Sequence, residues 1–416
     1  MTPPRSFPSE KAVLAAAAPP APPIKPRGSN HVGMRQFNER VVLQILRTHG
    51  PTPKAELARL TGLTAQTIGL ITSRLDEDGL LRKAEPLRGK IGQPSVPLYL
   101  NPDGAFSVGI KVGRRNADWL LVDFSGQVRE RRQMAYDFPD VALLLPALQL
   151  HLNGLLDSLG ELRERVVGVG VATPFQLGGW HRLLGLSDGQ ADAWNQIDLS
   201  AEVQAMTDLP VSFARDTVAA TVAELVQGRG QALPNFLYLF VDTFVGGGLV
   251  LNSHIHKGVH GNAGAVASVP LHAAHQTGTP AQLLEQASVW TLERRFQANG
   301  LDVMAAYDER ALLPPWLPHT QTWLDESALA LAQLVVSATA LLDMDAVVMD
   351  GSIAQPLLQR LLQRTEVALT RYDWQGLFDA PKMLQGSMGP DARALGGALL
   401  PLHACFAPDR DVFLKA

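Results

Sequence analysis

The chain is poor in the residues that hold small secreted folds together. Cys405 is its single cysteine in 416 residues, so an intramolecular disulfide framework is excluded and a reducing, cytoplasmic setting fits. Runs of eighteen apolar residues are also missing, and the sequence pattern offers no membrane span. Charged residues make up 18% against 46% hydrophobic, an ordinary globular balance, and the length leaves room for two or three domains. The apolar stretch VLAAAAPPAPP is broken by prolines and leads into no core pattern. Residues 1–34 therefore read as a disordered extension rather than a signal peptide.

What charge there is lies unevenly. Residues 1–100 hold 14 Lys and Arg against 7 Asp and Glu, a local +7, whereas the whole chain carries −4 and the remaining 316 residues therefore −11. A small basic head on an acidic body suits a protein whose head meets phosphate while its body stays clear of it.

Residues 36–80 explain the head. They read as three short helices, the second of which (Lys54–Leu60) is broken by Thr61 and Gly62, where glycine supplies the freedom a sharp corner needs. The third starts at Thr64, a natural N-cap, and buries Ile68, Ile71 and Leu75 at three- and four-residue spacing. That leaves Thr64, Gln66, Thr67 and Ser73 facing outward. A polar face near a helix N-terminus, behind a positioning helix, delivers side chains to base edges in the major groove. The competing reading is a helical bundle that contacts another protein. A hairpin follows, with strand-like Leu80-Leu81 and Pro97–Leu100 around a turn-rich centre carrying Arg82, Lys83, Arg88 and Lys90. It has the form of a wing, and residues 35–100 together form a winged helix-turn-helix.

Here the segment GLTAQTIGLITSRLDEDGLL, followed by GKIGQPSVPLYLNPDGAFSVGI, resembles the repressors of the ROK family (repressor, open reading frame, kinase), which fuse a winged helix to a sugar-kinase-like body. The wing departs from the family's Gly-Arg-Pro by having Gly92-Gln93-Pro94, so Gln93 takes the place of a contact residue. Gly69-Leu70 stands where members often have Ser-Arg.

From about Ala105 strands and helices alternate. Phe106–Val112, Asp118–Phe124 and QVRERRQMAY form one set of strands, with Ser125-Gly126 as a tight turn, and Phe236–Val241 with Gly247–Leu251 forms a second hairpin. Two such halves fit a duplicated fold. The resemblance implies an α/β, two-lobed actin/hexokinase-like (ribonuclease H-like) body over residues 101–416 that senses an effector and oligomerises, at least as a dimer.

Against the family's kinases, the chemistry has changed. Lys111-Val112-Gly113-Arg114-Arg115 replaces the Asp-x-Gly-x-Thr loop that approaches ATP phosphates and metal, and a lysine cannot coordinate magnesium. Asp242-Thr243-Phe244-Val245-Gly246 replaces the second phosphate loop and sets a carboxylate where phosphate would lie. Arg215-Asp216 stands for the Asn-Asp pair whose carboxylate takes the sugar hydroxyl's proton, though N-capping of the next helix also explains Asp216. Ala265-Val266-Ala267-Ser268 replaces a sugar-reading Glu-x-Gly-His, and Leu284-Glu285-Gln286-Ala287-Ser288 keeps a Leu-Glu-x-x-Ser pattern that marks Glu285 as a sugar contact.

The family's zinc site, one histidine and three clustered cysteines, cannot be built here. The histidines at 254, 256, 260, 272 and 275 lack completing ligands. No metal and no cofactor is expected.

These readings imply a transcriptional regulator, a repressor of carbohydrate genes, that binds an inverted-repeat operator in double-stranded DNA and answers a sugar or sugar-derived effector. Asp216, Glu285, Arg114 and Arg115 are its candidate ligand contacts. Arg114 and Arg115, with Lys111, serve either as salt bridges fixing the two halves of the body or as a clamp for an anionic ligand. The alternatives are an ATP-dependent hexose kinase with a DNA-binding head, and a regulator that answers a protein partner.

Overall fold

The computed structural model describes residues 31–86, 96–174, 192–194, 196–271, 280–377 and 379–408. The head opens with α1 (His31–His49), which starts inside the stretch expected to be an extension, followed by β1 (Thr52–Pro53), α2 (Lys54–Thr61) and α3 (Ala65–Glu77). Gly62 closes α2 at φ 70°, a left-handed position that glycine takes without strain. The side chain of Thr64 then accepts the amide of Thr67 at 3.2 Å and caps α3. Strands β2 (Leu81–Lys83) and β3 (Pro97–Leu100) complete a small antiparallel sheet in the order β1-β3-β2. Ile68, Ile71 and Leu75 are buried against Val42, Leu46 and Leu57, and a 2.5 Å bridge from Arg74 to Glu39 pins α3 to α1.

The body repeats one topology twice. In the first lobe β4 (Phe106–Val112), β5 (Asn116–Asp123) and β6 (Val128–Ala135) form an antiparallel meander. After α4 (Val141–Ser158) come β7 (Val166–Thr173), α5 (Leu199–Ala205) and β8 (Val211–Arg215), and the two strands join in parallel. The order is β6-β5-β4-β7-β8. Helix α6 (Asp216–Gln227) leads to the second lobe, where β9 (Phe236–Val241), β10 (Gly246–Leu251) and β11 (His254–His256) form the matching meander. Next are α7 (Leu284–Ala287), α8 (Val289–Ala298), α9 (Leu317–Leu342), β12 (Ala346–Gly351), α10 (Gln355–Leu369) and β13 (Lys382–Gln385), giving β11-β10-β9-β12-β13. The last helix, α11 (Ala392–Phe406), returns to the first lobe and packs on β4 and β7.

Helices α4 and α9 are long and apolar enough to cross a membrane by length and composition. Both nonetheless bury one face in protein: Leu144, Leu148, Leu152 and Leu155 of α4 lie in the first lobe's core, and Trp323, Leu331 and Val335 of α9 lie in the second's. The apolar periodicity of α9 is plain only from Ala328 onward. Its first three turns are polar, yet Thr320, Trp323 and Leu324 are buried there.

Head and body share one apolar cluster. Leu43, Leu46, Leu81 and Leu100 of the head pack with Leu120, Phe124, Leu399 and Leu402 of the body. Arg47 of α1 donates to the carbonyl of Phe124 at 3.1 Å and lies over its ring, while Phe406 meets the same ring edge-on. Burial lowers the Arg47 pKa to about 10. Arg40 donates to the carbonyl of Ala407 at 3.2 Å, so α1 grips the end of α11.

Helices α6 and α11 cross where the lobes meet, backbone against backbone. A Cβ at Gly396 would overlap the carbonyl oxygen of Ala219, and neither partner is a flexible side chain that could yield. Gly396→Ala is therefore expected to lower stability by about 1–3 kcal/mol, read from the urea unfolding midpoint.

Candidate functional site

The cleft between the lobes encloses about 440 Å³. Its walls are the β4–β5 turn, the start of α6, the turn after β9, residues 262–268 and the start of α11. Arg393, in the first turn of α11, lines it. This guanidinium is buried, 2.6 Å from Asp242 and 3.4 Å from Asp216, donates to Ser352 Oγ at 3.1 Å, and stacks over Phe240. Asp242 and Asp216, despite the cost of burial, hold it charged above its ordinary pKa. Sequence reasoning noticed the anomalous Asp242 and missed its partner, because Arg393 opens a plain amphipathic helix 151 residues away.

The turn that replaces the second phosphate loop is stitched to α8. The Asp242 and Thr243 carbonyls accept the amides of Val289 and Trp290, the Val245 amide is taken by Ser288 Oγ at 3.0 Å, and the Thr243 hydroxyl meets Tyr307 OH at 2.8 Å. An amide that could have faced phosphate is thus already used.

Lys111 is buried within its own hairpin and bound to Asp118 at 3.2 Å and to Asn116 Oδ1; burial, with Arg393 nearby, pulls its pKa down. Arg114 lies over the ring of Phe244, across the cleft, and burial lowers its pKa to about 10. Arg115 pairs with Glu293 of α8 at 3.1 Å and sits over Tyr307. Of the three cations only Arg115 forms a salt bridge between the two halves; Lys111 pairs within its own hairpin, and Arg114 reaches the second lobe through a ring contact. The clamp for an anion loses Lys111 and Arg115 to existing partners.

Asp216 lines the cleft and opens α6, its carboxylate accepting the Thr217 amide at 2.8 Å besides facing Arg393. Glu285 is exposed, does not line the cleft, and accepts the Gln282 amide at 3.0 Å. The expectation that it grips a ligand beside Asp216 is corrected: the Leu-Glu-x-x-Ser pattern serves to start α7. Asn116, Gln133 and Asn262 are cleft residues that sequence reasoning left out, and Arg215, named there only as the neighbour of Asp216, lines the cleft as well.

The loop before α11 is set by two buried carboxylates. Asp350 accepts the amides of Gly351, Met388 and Gly389 and the Tyr238 hydroxyl, and Glu224 accepts the Ser387 and Arg229 amides. Burial raises the pKa of both.

On the head, Thr64, Gln66 and Ser73 are exposed along α3, and Thr67 is half-buried with its hydroxyl bonded to that of Thr64. Arg88, Lys90 and Gln93 lie outside the described residues. His254, His256 and His260 are exposed, and among the described residues no His, Cys, Asp and Glu cluster could hold a metal ion.

A family model described as ROK family matches residues 107–403. The chain belongs to the ROK family. Among its relatives, it is 21% identical over 240 residues to the xylose repressor of Bacillus subtilis, covering 57% of this chain and 61% of that protein. It is 28% identical over 252 residues to a transcriptional regulator of Mycobacterium bovis, covering 57% and 54%. The chain thus spans about three fifths of the xylose repressor it matches. A crystal structure of a ROK family transcriptional regulator, a homologue of the E. coli MLC protein, superposes with a TM-score of 0.67 at 20% identity over 92% of this chain and 98% of that one. The ROK hexokinase of Thermus thermophilus superposes with a TM-score of 0.52 at 21% identity over 71% of this chain and 97% of its own. The fold is therefore that of the ROK regulators and sugar kinases, with the two-lobed body common to both.

Removing one member of a buried ion pair strands the others in low dielectric. Arg393→Met is expected to cost about 3–5 kcal/mol by urea denaturation, and adding Asp242→Asn should recover part of that loss.

Proposed function

We propose that this ROK protein is a cytoplasmic, sequence-specific DNA-binding regulator, a repressor of carbohydrate uptake or catabolism genes, whose body senses a small effector and has no kinase activity. One observation carries the reading. The turn that matches a kinase's second phosphate loop in sequence carries Asp242, which is bound to Arg393, and the helix bearing Arg393 ends against the head. The repressors and regulators among its relatives support the same reading.

The proposed effector is a neutral sugar or sugar derivative. The cleft lining holds Lys111, Arg114, Arg115, Arg215 and Arg393 against Asp118, Asp216, Asp242 and Asp391, so its charge is nearly balanced. A ligand that binds one closure state better shifts the balance between lobe positions, and with it the heads of a dimer. Two heads related by a twofold axis would read an inverted repeat.

Full-length protein should enrich a sequence from a random duplex library, and deletion of residues 1–100 should abolish that binding. Arg88→Ala or Lys90→Ala should weaken binding to all duplexes alike and flatten the salt dependence by about one unit of slope. Sedimentation should show at least a dimer at micromolar concentration. ATP with a panel of hexoses should yield no sugar phosphate; turnover would return the protein to the kinases. Neutral sugars, sugar phosphates and sugar acids are then titrated against the complex, and release by acids or phosphates alone would refute the neutral effector.

A further inference from the structure

Leu70 lies on the outer face of α3, one turn beyond Gln66 and one turn before Ser73, and is 64% exposed. No other large hydrophobic residue described in the head is as exposed; Val32, Met34 and Val96 reach 51%, 45% and 37%. It adds nothing to the buried stripe of Ile68, Ile71, Thr72 and Leu75. A lone exposed leucine is ordinary on a protein surface. Its neighbour is not ordinary. Gly69 sits in the interior of α3, without a left-handed φ, and a Cβ built there meets no atom within 4 Å. Neither packing nor backbone geometry asks for glycine at this position. An interior helical glycine costs about 1 kcal/mol relative to alanine.

The fold bears that cost for no reason internal to itself, and the position adjoins an exposed apolar side chain on a face otherwise polar. A bare helix surface lets another molecule approach the backbone closely. The groove-facing edge of a base pair offers one apolar group, the thymine C5-methyl. We propose that Gly69 and Leu70 form a specificity contact in which α3 seats its backbone at Gly69 deep in the major groove and Leu70 covers a thymine methyl. The contact rests on the reading of the head as a DNA-binding unit. Gln66 and Ser73, one turn to either side, lie beside the flanking bases.

The test uses full-length protein and the duplex it enriches from a random library. Each thymine is replaced in turn by deoxyuridine, which removes the methyl and keeps every hydrogen-bonding group. At one or two positions the replacement should weaken wild-type binding about fourfold, the worth of one buried methyl, and leave Leu70→Ala binding unchanged. Gly69→Ala should raise the melting temperature and yet weaken the enriched duplex about tenfold, with binding to an unrelated duplex unaltered. A purely structural role for Gly69 cannot give those opposite signs. Deoxyuridine without effect at every thymine, or with equal effect on wild type and Leu70→Ala, overturns the methyl contact. Gly69→Ala that binds as tightly as wild type overturns the close approach. A library from which nothing is enriched overturns both this contact and the reading of the head.

Discussion

The arrangement of the body depends on one guanidinium taken out of water. Arg393 is held between carboxylates from two elements, Asp216 at the start of α6 and Asp242 at the end of β9. A buried ion pair of this kind adds little net stability, because desolvation of the charges offsets most of their attraction. Its effect is on geometry. Asp242 belongs to the second lobe, while the helix that carries Arg393 packs on the first, so the two lobes can satisfy all three charges in few relative positions. The loop that delivers Arg393 is itself fixed by amides bound to Asp350 and Glu224.

From that centre the structure runs without a break to the head. Helix α11 has 15 residues, about 22 Å of rigid backbone. Its first turn is in the cleft, its last residue Phe406 meets Phe124, and the carbonyl of Ala407 just beyond accepts from Arg40 of the head. A head joined by a flexible linker would not feel a change in lobe angle. This one is continuous with the body's core, and the proposed regulation needs that continuity.

Much of the fold was legible because each element carries its own pattern. Strand 106–112 alternates apolar with small or polar residues, and strand 236–241 is an unbroken apolar run of the kind that is covered on both faces. The duplication could be read from two hairpins, and in the structure it becomes two sheets of the same strand order. Thr64 and Gly62 mark the head's turn through local chemistry, which a sequence displays directly. The cleft was less legible. Asp242 was visible as a charge in the wrong place, but the residue that neutralises it is distant in sequence and sits in a helix with no signature. Glu285 misled for a related reason: a pattern shared with relatives says where a residue stands in the chain, not whether its carboxylate faces the cleft or a neighbouring amide.

The glycine contact between α6 and α11 has a bearing on rate. Helices usually cross with side-chain ridges seated in grooves, and turning one against the other means lifting those ridges out. At Gly396 and Ala219 the ridges are missing, and the surfaces that meet are smooth. Such a joint resists compression but offers little friction to rotation. In the proposed regulation, where the lobes change their relative position, Gly396 would thus bear on the barrier to that change and Arg393, three places earlier on the same helix, on which position is preferred.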